Sequence, residues 1–292
     1  MRVTTTQMFN AATYNINKNK DKFYQAQEAL ITQKRINRPS DDPAGASQVS
    51  DVKNSMSRVE QYARNIERTR SFTDTTEIAL SQVVGELNNV LDLAVDINGG
   101  ISSTVDFEVA ALQVDSYFSN MIQSANTKDG DRYIFSGFRT TTASFDSAGN
   151  YMGGSGESIE IEITHDSFLK ANLCGDDVFK GPVDVFQSVT DMRSAINASD
   201  QDQIKALIPQ VKAALDQIIA MRSGIGNKSV RLDAAVENNF SLEEAYTEIL
   251  ANVEDIDIAE ATTEYAYQEQ VYQATLMVSS QIIQQSILDF IT

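Results

Sequence analysis

The 292 residues carry 23 Lys and Arg against 41 Asp and Glu, a formal net charge of −18, with one His, one Cys and no Trp. That balance excludes a nucleic-acid partner, because phosphate binding needs a basic footprint. A lone Cys174 excludes an internal disulfide. Four prolines and abundant Ala, Gln, Asn, Ser and Ile point to long helices, in a chain long enough for two domains or one large one.

In chain order, the first segment (1–36) repeats Phe9, Ile16, Phe23 and Leu30 every seven residues, with Ala12 and Ala26 between them. This is a coiled-coil seam, too narrow for a globular core. The segment is basic: Arg2, Lys18, Lys20, Lys22, Lys34, Arg35 and Arg38 face only Asp21 and Glu28 in the first forty residues. The helix is expected to stop before Pro39, which disfavours the helical region for Arg38. The turn that follows, Arg38 to Pro43, offers Ser40 or Asp42 as the cap of the next helix and Pro43 as its first residue.

The second helix is expected to run to about Asn98 on a heptad line of Val52, Val59, Ile66, Leu80, Leu87 and Ala94. The line weakens near Arg70 and Thr73, where Phe72 should shift the packing. Gly99 and Gly100 end the helix. Thr104 caps a third, with Phe107, Ala111, Val114, Phe118, Met121 and Ala125 on one face. Near residue 137 the composition changes, and seven of the fourteen glycines fall in 137–181. Ser158 to Thr164 alternates Ile and Glu as a strand, and Ser147-Ala148-Gly149-Asn150 reads as a hairpin turn. His165 and Cys174 lie in this stretch, and one His, one Cys and scattered acids make neither a triad nor a zinc site.

Helical pattern returns after Pro182. Ser199 or Asp200 caps a helix in which Pro209 marks a kink or a late start. By residues alone this helix ends at Gly224 and Gly226. The final segment carries Tyr246, Ile249, Val253 and Ile256, then Tyr267, Val271, Ala274, Val278 and Ile282; unbroken from 244 to 290 it would span roughly 70 Å. No Lys or Arg follows Arg231, while twelve acids do. Two ends with apolar seams and opposite charge should pair with each other or with neighbouring copies. Gln270 to Leu288 is uncharged but holds five Gln and three Ser, which suits a helix packed by protein and not by lipid. Residues 1–30 hold no apolar run of secretory-leader length.

These residues carry a resemblance. Gln33 to Ala46, with Arg38-Pro39-Ser40-Asp41-Asp42-Pro43-Ala44 at its centre, is similar to the N-terminal signature of the flagellin family. Val253 to Ala261, including Asp255, Asp257 and Ala259, is similar to that family's C-terminal signature. Met1 to Thr4, Asp131 to Thr140 and Tyr151 to Gly154 resemble the family's hook-associated branch, which stands where hook meets filament. Met221 to Asn227 resembles a segment of the same branch in which the helix continues through the glycine, and that overrides a break at Gly224. Two departures stand out. Ala143-Ser144-Phe145 replaces the family's usual Pro-Phe, and the ending Ser286 to Thr292 lacks the Leu-Leu-Arg type of terminus of filament flagellins.

The resemblance implies a mainly α fold with long coiled-coil helices from both termini, a helical rod and a small β-rich insertion. The implied domains are 1–43 with 247–292 as assembly segments disordered in the free monomer, 44–136 with 184–246 as the rod, and 137–183 as the outer insertion. It implies a non-enzymatic structural subunit without cofactor, metal or membrane partner, exported by the flagellar type III apparatus with its chaperone to the extracellular flagellum. There it would form a ring of copies between the other hook-filament junction protein and flagellin. Phe9, Ile16, Phe23 and Leu30, with Val271, Ala274, Val278 and Ile282, are the expected subunit-packing residues. The alternatives are a filament-forming flagellin with a short outer domain, a secreted enzyme with its site in 137–181, and a membrane-active translocator.

Overall fold

A computed structural model of the chain describes residues 5–98, 104–154 and 159–291. Its elements are α1 (Thr5–Thr32), α2 (Pro43–Asn98), α3 (Thr104–Ala125), β1 (Lys128–Asp129), β2 (Arg132–Tyr133), β3 (Glu160–Thr164), β4 (Ser167–Lys170), α4 (Gly175–Phe179), α5 (Val185–Asn197), α6 (Gln201–Glu254) and α7 (Ile258–Ile291). The fold is mainly helical, as expected, with two small antiparallel strand pairs, of which β1–β2 lies ahead of the β insertion expected at 137–183. The chain divides into two compact units, Met1–Arg58 with Leu242–Thr292, and Val59–Ser241.

In the second unit the heptad line of α2 is buried: Val59, Ile66, Leu80, Leu87 and Ala94 all lie in the interior. The weak stretch of that line is filled by Thr69, Thr73 and Thr76, at most 2% exposed. Their hydroxyls donate to Asn65 O, Thr69 O and Phe72 O at 2.7–2.8 Å, so polar side chains face the core with no unmet donor. Phe72 packs only partly against the core. The predicted face of α3, Phe107 to Ala125, is buried against the same cluster, joined by α5 and the first half of α6.

The stretch after α3 adds aromatic mass to this core. Phe179 sits edge-on to Phe135 and Phe145 and stacks on Phe186, all at 5.2 Å between ring centroids. Phe145, the residue that follows the departing Ala-Ser, is thus an internal ring, and it bridges to Tyr151 across the predicted turn. Asp146 caps that turn from within, accepting from the Ala148 and Asn150 amides at 2.9 and 2.8 Å. Gly149 takes φ +84°, and a Cβ there would stand 2.7 Å from Phe186 Cβ.

β3 and β4 form the other hairpin; Ser158 of the predicted strand lies outside the described residues. Ile163 and Leu169 bury against Ile66, Leu232 and Ala235. Asn65 donates to Glu162 O at 2.8 Å and Lys228 Nζ to Lys170 O at 2.9 Å, which holds one strand to α2 and the other to α6.

Two helix boundaries differ from the sequence reading. The first helix ends at Thr32, not 36, where Gln33 turns to φ +57°. The final helical pattern is not unbroken: α6 ends at Glu254 and α7 starts at Ile258, with Asp257 accepting from the Ala259 and Glu260 amides at 2.8 and 3.3 Å as its cap. α6 does run through Gly224 and Gly226, and Pro209 lies inside it. Asp200, not Ser199, caps its start through the Gln203 amide at 3.0 Å. Gly99 and Gly100 fall outside the described residues.

Candidate assembly site

The first unit is built from α1, α7, the start of α2 and the end of α6. Both long helical segments break at the same level, and the broken stretches pair. Lys34 and Asp255 form an antiparallel bridge, Arg35 N donates to Glu254 O at 2.6 Å, and Ile256 N donates to Gln33 O at 3.3 Å. Backbone groups freed by ending two helices thus satisfy each other.

One carboxylate locks this clasp. Glu254 Oε1 accepts from Lys34 Nζ at 2.9 Å and Lys53 Nζ at 3.0 Å, and its side chain is 8% exposed. Burial opposes its charge, but the two lysine hydrogen bonds and their charges outweigh that and hold the carboxyl below its usual range. Arg35 adds a bond to Val253 O at 2.9 Å.

The family-like signatures are the framework of this clasp. Asp41 Oδ2 accepts from the amides of Asn37 and Arg38 at 3.2 and 2.8 Å, closing the turn that Pro39 and Ser40 occupy. Asp42 Oδ1 caps α2 through the Gly45 amide at 3.0 Å, with Pro43 and Ala44 as the first helical residues. Arg38 reaches back to Glu28 at 3.0 Å. Gly45 lets Ile36 pack beneath the turn, since a Cβ there would stand 2.5 Å from Ile36 Cδ1. Two open hollows flank the clasp, one of about 810 Å³ along Arg35, Asp255, Asp257 and Glu264, the other of about 390 Å³ along Glu28, Arg38 and Asp41.

Beyond the clasp α1 and α7 run antiparallel as a two-helix seam. Phe23 packs on Tyr265 and stacks on Tyr272, at 5.4 and 5.8 Å between centroids. Asn19 Nδ2 donates to Thr275 Oγ1 at 2.6 Å. On α1, Ala12 is buried and Ile16, Phe23 and Leu30 are half-buried, whereas Phe9 is 51% exposed. On α7 the inward line is Tyr265, Gln268, Tyr272, Thr275 and Ser279, with Gln268 and Ser279 buried. The expected α7 residues are not on it. Val271 is half-buried at its margin, Ala274 is exposed, Val278 is 55% exposed, and the Ile282 side chain lies outside the described residues. The structure therefore brings three of the four α1 residues to the seam and leaves the described α7 residues beside it or facing away. Aliphatic spacing pointed to the outer line; the aromatic and polar line could have been found as a heptad of its own, 265–268–272–275–279.

The opposite charges divide in the same way. Lys34 and Lys53 meet Glu254, but among the described residues no ion pair joins α1 to α7, although Lys18, Lys22, Glu260 and Glu264 are exposed. No helix of the described residues is long and apolar enough to cross a membrane. In the second unit, Cys174 Sγ lies 3.3 Å from Tyr151 Oη, and burial followed by that contact raises the phenol well above its usual range. Ligand atoms of Glu162, His165 and Asp166 come within 4.8 Å of one another at the β3–β4 turn, with His165 and Asp166 exposed to solvent.

The family model for the bacterial flagellin N-terminal helical region matches residues 3–140, and that for the flagellin C-terminal helical region matches residues 208–291. The chain belongs to the flagellin family. Within it, the chain is 24% identical over 301 residues to the flagellar hook-associated protein 3 of Escherichia coli K12, covering 94% of this chain and 95% of that protein. It is 31% identical over 156 residues to the protein of the same name from Salmonella typhimurium, about half of either chain (53% and 49%). The fold is that of Bacillus cereus FlgL, with a TM-score of 0.59 and 23% identity over 68% of this chain and 99% of that one.

Proposed function

We propose that this chain is a structural subunit of the bacterial flagellum, the adapter at the junction between hook and filament. The alignment with hook-associated protein 3 along nearly the full length of both chains carries that placement. The reading makes it a hook-associated motility protein that is exported and self-assembles, without catalysis. Assembly is supported by the first unit: α7 turns Ala274 and Val278 outward, and among the described residues no ion pair joins α1 to α7 across their seam. A neighbouring copy in a ring supplies both partners, apolar and ionic. The hook-side contact is the other junction protein, the filament-side contact is flagellin, and a type III export chaperone covers the chain before export to the extracellular flagellum. α1 and α7 bury little as an isolated pair, so they order fully only among neighbours.

Deleting the gene should leave hooks without filaments while flagellin is still secreted into the medium. Hooks bearing normal filaments would end the junction reading, and loss of all secreted flagellin would favour a filament subunit.

A further inference from the structure

α7 presents two parallel lines of side chains one residue apart, which is a rotation of about 100° about the helix axis. The outer line, aliphatic after its first residue, is Tyr267, Val271, Ala274 and Val278; the polar and aromatic line is Tyr265, Gln268, Tyr272, Thr275 and Ser279. Counting polar groups alone, the seam of α1 should take the outer line, which would bury no Gln, Ser or Thr. It takes the other one: Ser279 is 4% exposed and Gln268 8%, while Tyr267 is 58% and Val278 55% exposed.

The side chain that tells the two lines apart is Asn19. It stands half-buried in the α1 seam, four residues before Phe23, and its amide donates to Thr275 Oγ1 at 2.6 Å. Thr275 in turn donates to Val271 O at 2.7 Å, so its hydroxyl is oriented to accept. Turning α7 by one residue would bring the Ala274 methyl to this position and leave the Asn19 amide without a partner in a half-dry seam. We propose that the Asn19–Thr275 pair is the key that selects which face of α7 turns inward, and in which register, reserving the aliphatic line for a neighbouring copy. A hydrogen-bonded polar pair across a coiled-coil seam sets register and partner at some expense of stability. The reserved use of the outer line rests on the assembly reading. The selection itself is made by a contact within one chain.

Two cysteine reporters test it in a Cys174→Ser background, Gln268→Cys on the inward line and Val278→Cys on the outward one. They are labelled in dilute full-length chain at a sulfate concentration at which both ends have become resistant to protease, so that the seam is folded when it is read. In the parent seam the thiol at 278 should react about tenfold faster than that at 268. Asn19→Leu with Thr275→Val should bring the ratio close to one, and the swap Asn19→Thr with Thr275→Asn should restore it. Equal rates in the parent, an unchanged ratio in the apolar pair, or no recovery in the swap would each overturn the proposal. None of these readouts depends on hooks or filaments, so the key and the junction placement can fail separately.

Discussion

Glu254 holds together two lysines that are distant in sequence, and its removal should be felt at both. Glu254→Gln leaves Lys34 and Lys53 facing each other without a counter-charge. The cost should be about 1–2 kcal/mol, below the roughly 3–5 of a fully buried pair, because the lysines are 41% and 49% exposed. Hydrogen exchange at residues 33–36 and 253–257, followed at the sulfate concentration that folds the ends, reads this as lost protection. The sign with pH follows from the lowered carboxyl. The clasp's ionic stabilisation is complete above the ordinary carboxylate range and fades as pH falls through the lower value of the folded state. Amide protection at the clasp should therefore drop on acidification, and that drop should vanish in Glu254→Gln. The signature residues around Glu254 were legible as a cap and a turn, since Asp42-Pro43 has the chemistry of a helix start. Glu254 itself carried no local mark, because its partners lie 220 and 201 residues away.

Among the elements, α3 and the two ends of α2 behaved as their heptads demanded, since burying an apolar stripe is what fixes such a helix. The aromatic cluster shows where elements depend on one another. Phe135, Phe145, Phe179 and Phe186 come from a loop, a turn, α4 and α5 and form one set of rings. Phe179→Ala should cost about 3–5 kcal/mol in denaturant unfolding, as expected for emptying a fully enclosed aromatic site. A cost under about 1 kcal/mol would mean that the neighbouring rings collapse into the gap. Sequence periodicity could not assemble this cluster, because none of these rings belongs to a repeat. The threonines of α2 are a similar case: Thr69, Thr73 and Thr76 read as a gap in a hydrophobic line, yet they fill it by bonding their own helix backbone.

For the molecule as a whole, the terminal helices and the rest of the chain should differ in persistence. Limited proteolysis of dilute free chain should trim both ends rapidly and leave a resistant middle from about residue 45 to about 245. Ends that resist protease in the free chain would contradict ordering on assembly. The family, the helical class and the pairing of the two ends were all readable from residue order, because signatures, heptads and net charge are local or additive properties of a chain. Which face of α7 turns inward and which acids meet which lysines were decided by the folded arrangement. So was the common level at which the two long helical segments break. Those outcomes depend on partners brought together across more than two hundred residues, where satisfying one amide or one carboxylate outweighs the more apolar alternative. Hydrophobic spacing measures how much surface can be buried, and only three-dimensional proximity settles which of two available surfaces is.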